Sequence, residues 1–187
     1  MTPIESFAAV AASWQNFYLL CGTAAATLIG LMFVAVTFGA NLASVNNGAA
    51  ARAFVDPPFG HFVQVLGTAC LLVSPAMTAR VLGVVLVIIA VARCAYLAKV
   101  FRHMRAAQEH FHDVELSDWL SGVVTPLTLH FGLAAVGVAF RFGWSASFAA
   151  LGVVTVGVLL LGVYGAWELI LWMAMVRARK EASREQA

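Results

Sequence analysis

The stretch WQNFYLLCGTAAATLIGLMFVAVTFGA, residues 14–40, runs without one charged side chain. A helix rising 1.5 Å per residue needs about 20 apolar residues to cross the hydrocarbon core of a bilayer, and this run is longer than that. It also repeats small residues four apart, at Gly22, Ala26 and Gly30. That spacing puts them on one face of a helix. Helices in lipid associate by close packing rather than by escape from water, so small residues mark contact faces. The stretch therefore predicts a transmembrane helix with a packing face at Gly22, Ala26 and Gly30, flanked by Thr23 and Thr27. The face can serve the bundle of one chain or a contact in a homo-oligomer. Within the chain, the run containing Gly152, Gly157, Gly162 and Gly165 is the expected partner.

Composition extends this reading to the whole chain. Of 187 residues, 62% are hydrophobic and 11% are charged, against roughly 25% charged in a soluble domain. Such a chain needs the lipid bilayer as its solvent. The net charge of +2 is too small to point to nucleic acid. Residues 1–187 read as a single transmembrane domain, because no polar segment is long enough to fold separately. Cys21, Cys70 and Cys94 lie inside apolar runs, without CxxC spacing, so they read as small packing residues. The leader MTPIESFAAVAAS lacks Lys and Arg and carries Glu5, unlike a cleavable signal. The first run is thus expected to be retained.

Five apolar stretches predict an all-α integral membrane bundle of five transmembrane helices, near 15–40, 59–77, 81–101, 119–140 and 146–172. Pro57-Pro58 is expected to start the second, and Ser74-Pro75 to end it. A short turn carrying Arg80 then makes spans two and three a tight antiparallel hairpin. The distribution of Lys and Arg sets the orientation. With the N-terminus outside, Arg52, Lys99, Arg102, Arg105, Arg177, Arg179, Lys180 and Arg184 lie inside and only Arg80 and Arg141 outside. The C-terminus is then cytoplasmic, with a cytoplasmic loop over about 102–118 and a tail over 177–187. Trp14, Trp119, Trp144, Trp167 and Trp172 fall near span ends, as in an aromatic belt. Helix three is expected to run on into the loop, and the tail to be a charged helix end. Five spans do not divide into inverted repeats of the kind many transporters use.

The first helix carries a resemblance. Trp14-x-x-Phe17, Gly22-x-Ala24-Ala25-Ala26 and Gly30-Leu31-x-Phe33-Val34-Ala35-Val36 resemble the first helix of small bacterial polytopic membrane proteins. Some of these are labelled "modulator of FtsH protease", a regulator of a membrane-bound AAA protease. The resemblance covers that helix alone. It implies a multi-pass protein of the bacterial inner (plasma) membrane and brings no catalytic residue with it.

Ionisable groups inside a membrane are costly unless paired or wetted, so each is a site candidate. Arg93 in the third span and Glu168 in the fifth have matching predicted depths and opposite charges. They read as an ion pair that clips the bundle, or as two side chains snorkelling to the headgroups. His61, Gln64 and Thr68 share a face of the second span and supply either interhelical hydrogen bonds or the lining of a polar path. In TPLTLH, Pro126 removes the donor for the Gly122 carbonyl and predicts a helix kink. His130 follows one turn later, placed to bond a neighbouring helix or to relay protons.

Glu109, His110, His112, Asp113 and Glu115 crowd the loop, but nothing in the pattern fixes the geometry a zinc site needs. No metal and no cofactor are expected. No Ser-His-Asp order, nucleotide loop or HExxH is present, which argues against an enzyme of the soluble type. The leading expectation is a non-enzymatic membrane component that packs with itself or with a membrane-protein partner, as a regulator or accessory subunit. The alternative is a small transporter or channel whose polar path is lined by His61, Gln64, Arg93, His130 and Glu168. The two differ in whether those side chains converge.

Overall fold

The computed structural model describes residues 3–40, 48–75, 77–108, 120–143 and 146–185. Among them the chain forms five helices and no strand. They are α1 (Pro3–Ala40), α2 (Gly48–Val73), α3 (Ala79–Gln108), α4 (Thr125–Arg141) and α5 (Ser147–Glu185); a π-helical turn, Leu120–Val124, leads into α4. Four helices are long and apolar enough to cross a membrane, over Phe7–Thr37, Ala79–Lys99, Gly122–Arg141 and Ser147–Arg179. The predicted span 59–77 coincides with α2 over 59–73, and α2 is not among them. Its Asp56, His61, Gln64 and paired prolines dilute an otherwise apolar sequence.

The bundle is apolar on its outside. Leu20, Phe33, Ile88, Phe131, Val153 and Leu160 are each more than half exposed. Large apolar side chains exposed on every one of these helices are what a lipid solvent requires. Polar side chains turn inward instead: His61, Thr68, His130, Ser147 and Thr155 are buried. Outward-facing Thr23, Thr27, Thr37 and Thr128 bond carbonyls one turn back in their own helices, so none presents a free hydroxyl to hydrocarbon.

α2 begins at Gly48 rather than at the prolines, and Pro57 and Pro58 lie inside it. The fold accommodates them because Pro58 is buried against Gly165 of α5, where an added Cβ would stand 3.3 Å from the proline ring. Spans two and three are not the expected hairpin. They follow one another through a short turn but touch little; α2 packs on α1 and α5, and α3 packs on α4. The α3–α4 seam draws them apart. A Cβ on Gly83 would lie 2.5 Å from the Gly137 carbonyl oxygen, and one on Gly137 would lie 2.8 Å from the Gly83 carbonyl oxygen. Each helix uses the other's missing side chain to bring backbones together.

The face predicted at Gly22, Ala26 and Gly30 divides. Gly22 is buried on α2, where a Cβ would meet Ala69 at 2.8 Å, whereas Ala26 is exposed and Gly30 has open space beside it. The main partner of α1 is α2, with α5 second. At one end of the bundle, Phe7, Phe140 and Phe148 stack edge-on or tilted, with Phe140 and Phe148 ring centres 5.1 Å apart. Nearby, Tyr18 donates from its hydroxyl to the Phe148 carbonyl at 3.2 Å, tying α1 to α5. α3 continues to Gln108 and α5 to Glu185, as the sequence suggests. In the tail, Arg177 and Glu181 pair at 2.9 Å across one exposed turn. Glu109, His110, His112, Asp113, Glu115, Trp119 and Trp144 lie outside the described residues.

Candidate intramembrane polar site

α2, α3 and α4 bring four of the predicted polar residues together. His130 on α4 is wholly buried, and His61 on α2 is 5% exposed. Their rings are 6.3 Å apart centre to centre, tilted by 35°. His130 is held at both nitrogens: Nδ1 meets the Pro126 carbonyl one turn back, and Nε2 lies 2.9 Å from the Gln64 side-chain amide on α2. Pro126 thus does more than interrupt the helix. It stands in the first turn of α4, directly after the π-helical turn, rather than at a kink inside that helix, and its carbonyl orients the imidazole.

This geometry fixes the proton inventory. A carbonyl only accepts, so Nδ1 of His130 carries a proton. In a neutral ring, Nε2 is then an acceptor, and Gln64 must turn its NH2 group toward it. With the amide oxygen at that position, the ring is the doubly protonated imidazolium, donating at both ends. The orientation of one amide is therefore coupled to the protonation of one buried ring.

His61 has the opposite character. Both of its ring nitrogens are buried, and neither has a hydrogen-bond partner among the described residues. Leaving such groups unmade costs about 1–3 kcal/mol each, so native proteins rarely do so without a reason. Arg93 reaches in from α3. Its guanidinium lies against Gly60, where a Cβ would stand 2.5 Å from Nη1 and 3.3 Å from Cζ. The Tyr96 ring centre, one turn along α3, lies 5.5 Å from Cζ, within cation–π distance. Arg93 Nε is buried and unpartnered too. The guanidinium is within electrostatic reach of both His61 and His130.

Thr68 is buried one turn beyond Gln64 on α2. Glu168 does not join the site. It is exposed on α5, while its neighbour Leu169 turns inward, and no ion pair links it to Arg93. The reason is architectural: α5 packs on α1, α2 and α4, and α3 packs on α4, so equal depth does not make the two helices neighbours. Gly60 and Tyr96 were not singled out in the sequence. Tyr96 was findable, since it follows Arg93 by three residues and so shares its face. Gly60 was not, because its role depends on which helix crosses it. Among the described residues, no group of three His, Cys, Asp or Glu side chains could hold a metal ion.

Comparison of the chain with protein-family models, with curated proteins and with solved structures gives no match in any of the three.

Proposed function

We propose that this is a small multi-pass transporter or channel of the bacterial inner membrane, in which His61, Gln64, Arg93 and His130 form the polar path. The single observation behind it is His61, a buried side chain with two unpartnered nitrogens beside a second, fully bonded histidine. Burying polar groups in an apolar bundle is costly, and a purely structural clip would satisfy them. Glu168 is left out of the path. The protein acts without covalent chemistry of its own, by binding and passing a small solute or proton. The test is flux: purified protein in liposomes should carry ions or protons faster than empty liposomes, and His61→Phe should remove that flux while the protein stays folded. Liposomes that remain tight with the native protein would reject the reading.

The orientation belongs to the same proposal, which takes α2 as a fifth crossing. The eight inner Lys and Arg residues named above, against Arg80 and Arg141 outside, support an outer N-terminus and a cytoplasmic C-terminus. Reporter fusions after Ala187 and near Glu109 should both report cytoplasm. A periplasmic signal from either would overturn the placement.

A second reading, a regulator or accessory subunit acting by helix packing, is favoured by the outward Ala26 and Gly30. Ala26 lines a groove of about 520 Å³ between α1 and α2, with Gly22, Thr23, Ala69 and Ser74, and Gly30 follows one turn later on α1. On this reading the face meets a second copy of the chain. A monomer mass in mild detergent, unchanged by Gly30→Leu, would dismiss it.

A further inference from the structure

We propose that Arg93 and His61 together hold a small monovalent anion, a halide or a short carboxylate, between α2 and α3. The chemistry begins with Arg93. A guanidinium has five N–H donors, no acceptor and a permanent charge, so only an acceptor can satisfy its buried Nε. Because residue 60 is glycine, the guanidinium lies directly against α2, one residue from His61. His61 offers an N–H from one nitrogen as a neutral ring, and both of its nitrogens lack partners. Donors from two helices thus stand in one low-dielectric region with a fixed positive charge.

No carboxylate among the described residues answers them. Of these, Glu168 is exposed on α5, Glu181 is paired with Arg177, and Asp56, exposed on α2, is within electrostatic reach of Tyr96 but forms no ion pair with Arg93. A half-buried guanidinium whose Nε is buried and unpartnered among the described residues is disfavoured in an apolar bundle, and a complement from outside the chain would satisfy it. A metal cation does not fit, because it would sit beside the guanidinium and because no ligand set is found among the described residues. Size is limited by His61, which is 5% exposed. A lipid phosphodiester can approach the half-buried Arg93 but not the ring behind it. The inference gives the polar path its substrate class and rests on that reading for its part in transport.

The test measures binding and flux separately. The full-length protein in a neutral maltoside detergent is unfolded thermally while sodium chloride or sodium formate replaces sodium gluconate at constant ionic strength. At 100 mM, chloride or formate should raise the midpoint by about 2 °C or more. Both His61→Phe and Arg93→Lys should reduce that shift to less than half, the second despite keeping its charge. His61→Gln, which retains a donor, should preserve most of it. If the variants do not fold, the native protein still decides, through chloride-35 line broadening that formate reverses. No anion-dependent shift and no broadening in the native protein overturns the proposal. So does an undiminished shift in His61→Phe, or stabilisation by phosphatidylglycerol micelles alone. In liposomes, anion binding without flux rejects the transport reading and leaves the anion site standing. Proton flux indifferent to chloride and formate, with no thermal shift, rejects the anion site and leaves transport standing.

Discussion

Small residues meet two different fates in this molecule. On α1, Gly22, Ala26 and Gly30 follow a regular spacing of four, yet only Gly22 is packed against another helix of the chain. Across the α3–α4 seam, Gly83 and Gly137 belong to no such repeat, yet each lies against the other's carbonyl. A small residue marks where a helix can be approached. Whether it is approached depends on what the facing helix offers at the same height. At the seam the partner is another glycine, so both backbones move in. At Gly30 no described residue comes within 4 Å of an added Cβ.

The largest expected effect lies at the seam. Gly137→Val puts a branched side chain where a Cβ would already be 2.8 Å from the Gly83 carbonyl and 2.9 Å from Val87. Backbone cannot step aside as a flexible side chain can, so the cost should be about 3 kcal/mol, at the upper end of overpacking penalties. Unfolding in mixed micelles would measure it. Gly22→Leu should cost less, about 1–3 kcal/mol, because the atom it meets is the Ala69 side chain. Gly30→Leu should stay within about 0.5 kcal/mol. If Gly30→Leu proves as damaging as Gly137→Val, the outward face is covered in the native protein, and the contrast between the two regions disappears.

Hydropathy made most of the fold legible. α1, α3, α4 and α5 were visible as long apolar runs because their outer faces must match lipid along their whole length. α2 was harder: its residues serve a polar interior, and Pro57 and Pro58 look like a start when they are mid-helix. Pairing between helices was not legible. Arg93 and Glu168 agree in predicted depth, but depth is one coordinate, and the position of a helix around the bundle is another that a single sequence does not encode. His61, Gln64 and His130 were each identifiable as polar groups in apolar runs. Their convergence was not, nor was the Pro126 carbonyl as the group that fixes the His130 tautomer.

The polar seam offers a smaller effect. His130→Phe and Gln64→Leu each remove one side of the 2.9 Å contact. Their coupling in a double-mutant cycle should be about 0.6–1.7 kcal/mol, the range of interhelical bonds inside membranes. A coupling near zero would mean that His130 is held by Pro126 alone and that Gln64 is free to serve the path. Glutamine amide vibrations, followed with labelled Gln64 as pH is lowered, would show whether the amide turns when the ring gains its second proton.

The smallest effect expected is the coupling between Arg93 and Glu168, and it tests the inward–outward contrast most directly. Arg93 is seated against Gly60 and Tyr96, so Arg93→Leu should destabilise by leaving that seat badly filled. Glu168 is exposed on α5 and pairs with no described residue, so Glu168→Leu should be close to neutral, or slightly favourable if the position meets lipid. The two residues share no contact. Their effects should therefore add, to within about 0.3–0.5 kcal/mol, as for distant independent sites. A buried ion pair behaves otherwise: losing one partner strands the other at a cost of roughly 3–5 kcal/mol, and the double mutant recovers part of it. Recovery in Arg93→Leu/Glu168→Leu would thus require α5 to rotate by about one residue, moving Glu168 into the position that Leu169 now fills. That rotation would also carry Gly162 and Gly165 away from Phe62 and Pro58, which they now face. Substituting Gly165 with Leu would then be tolerated, so the two measurements together separate a displaced α5 from a long-range electrostatic effect.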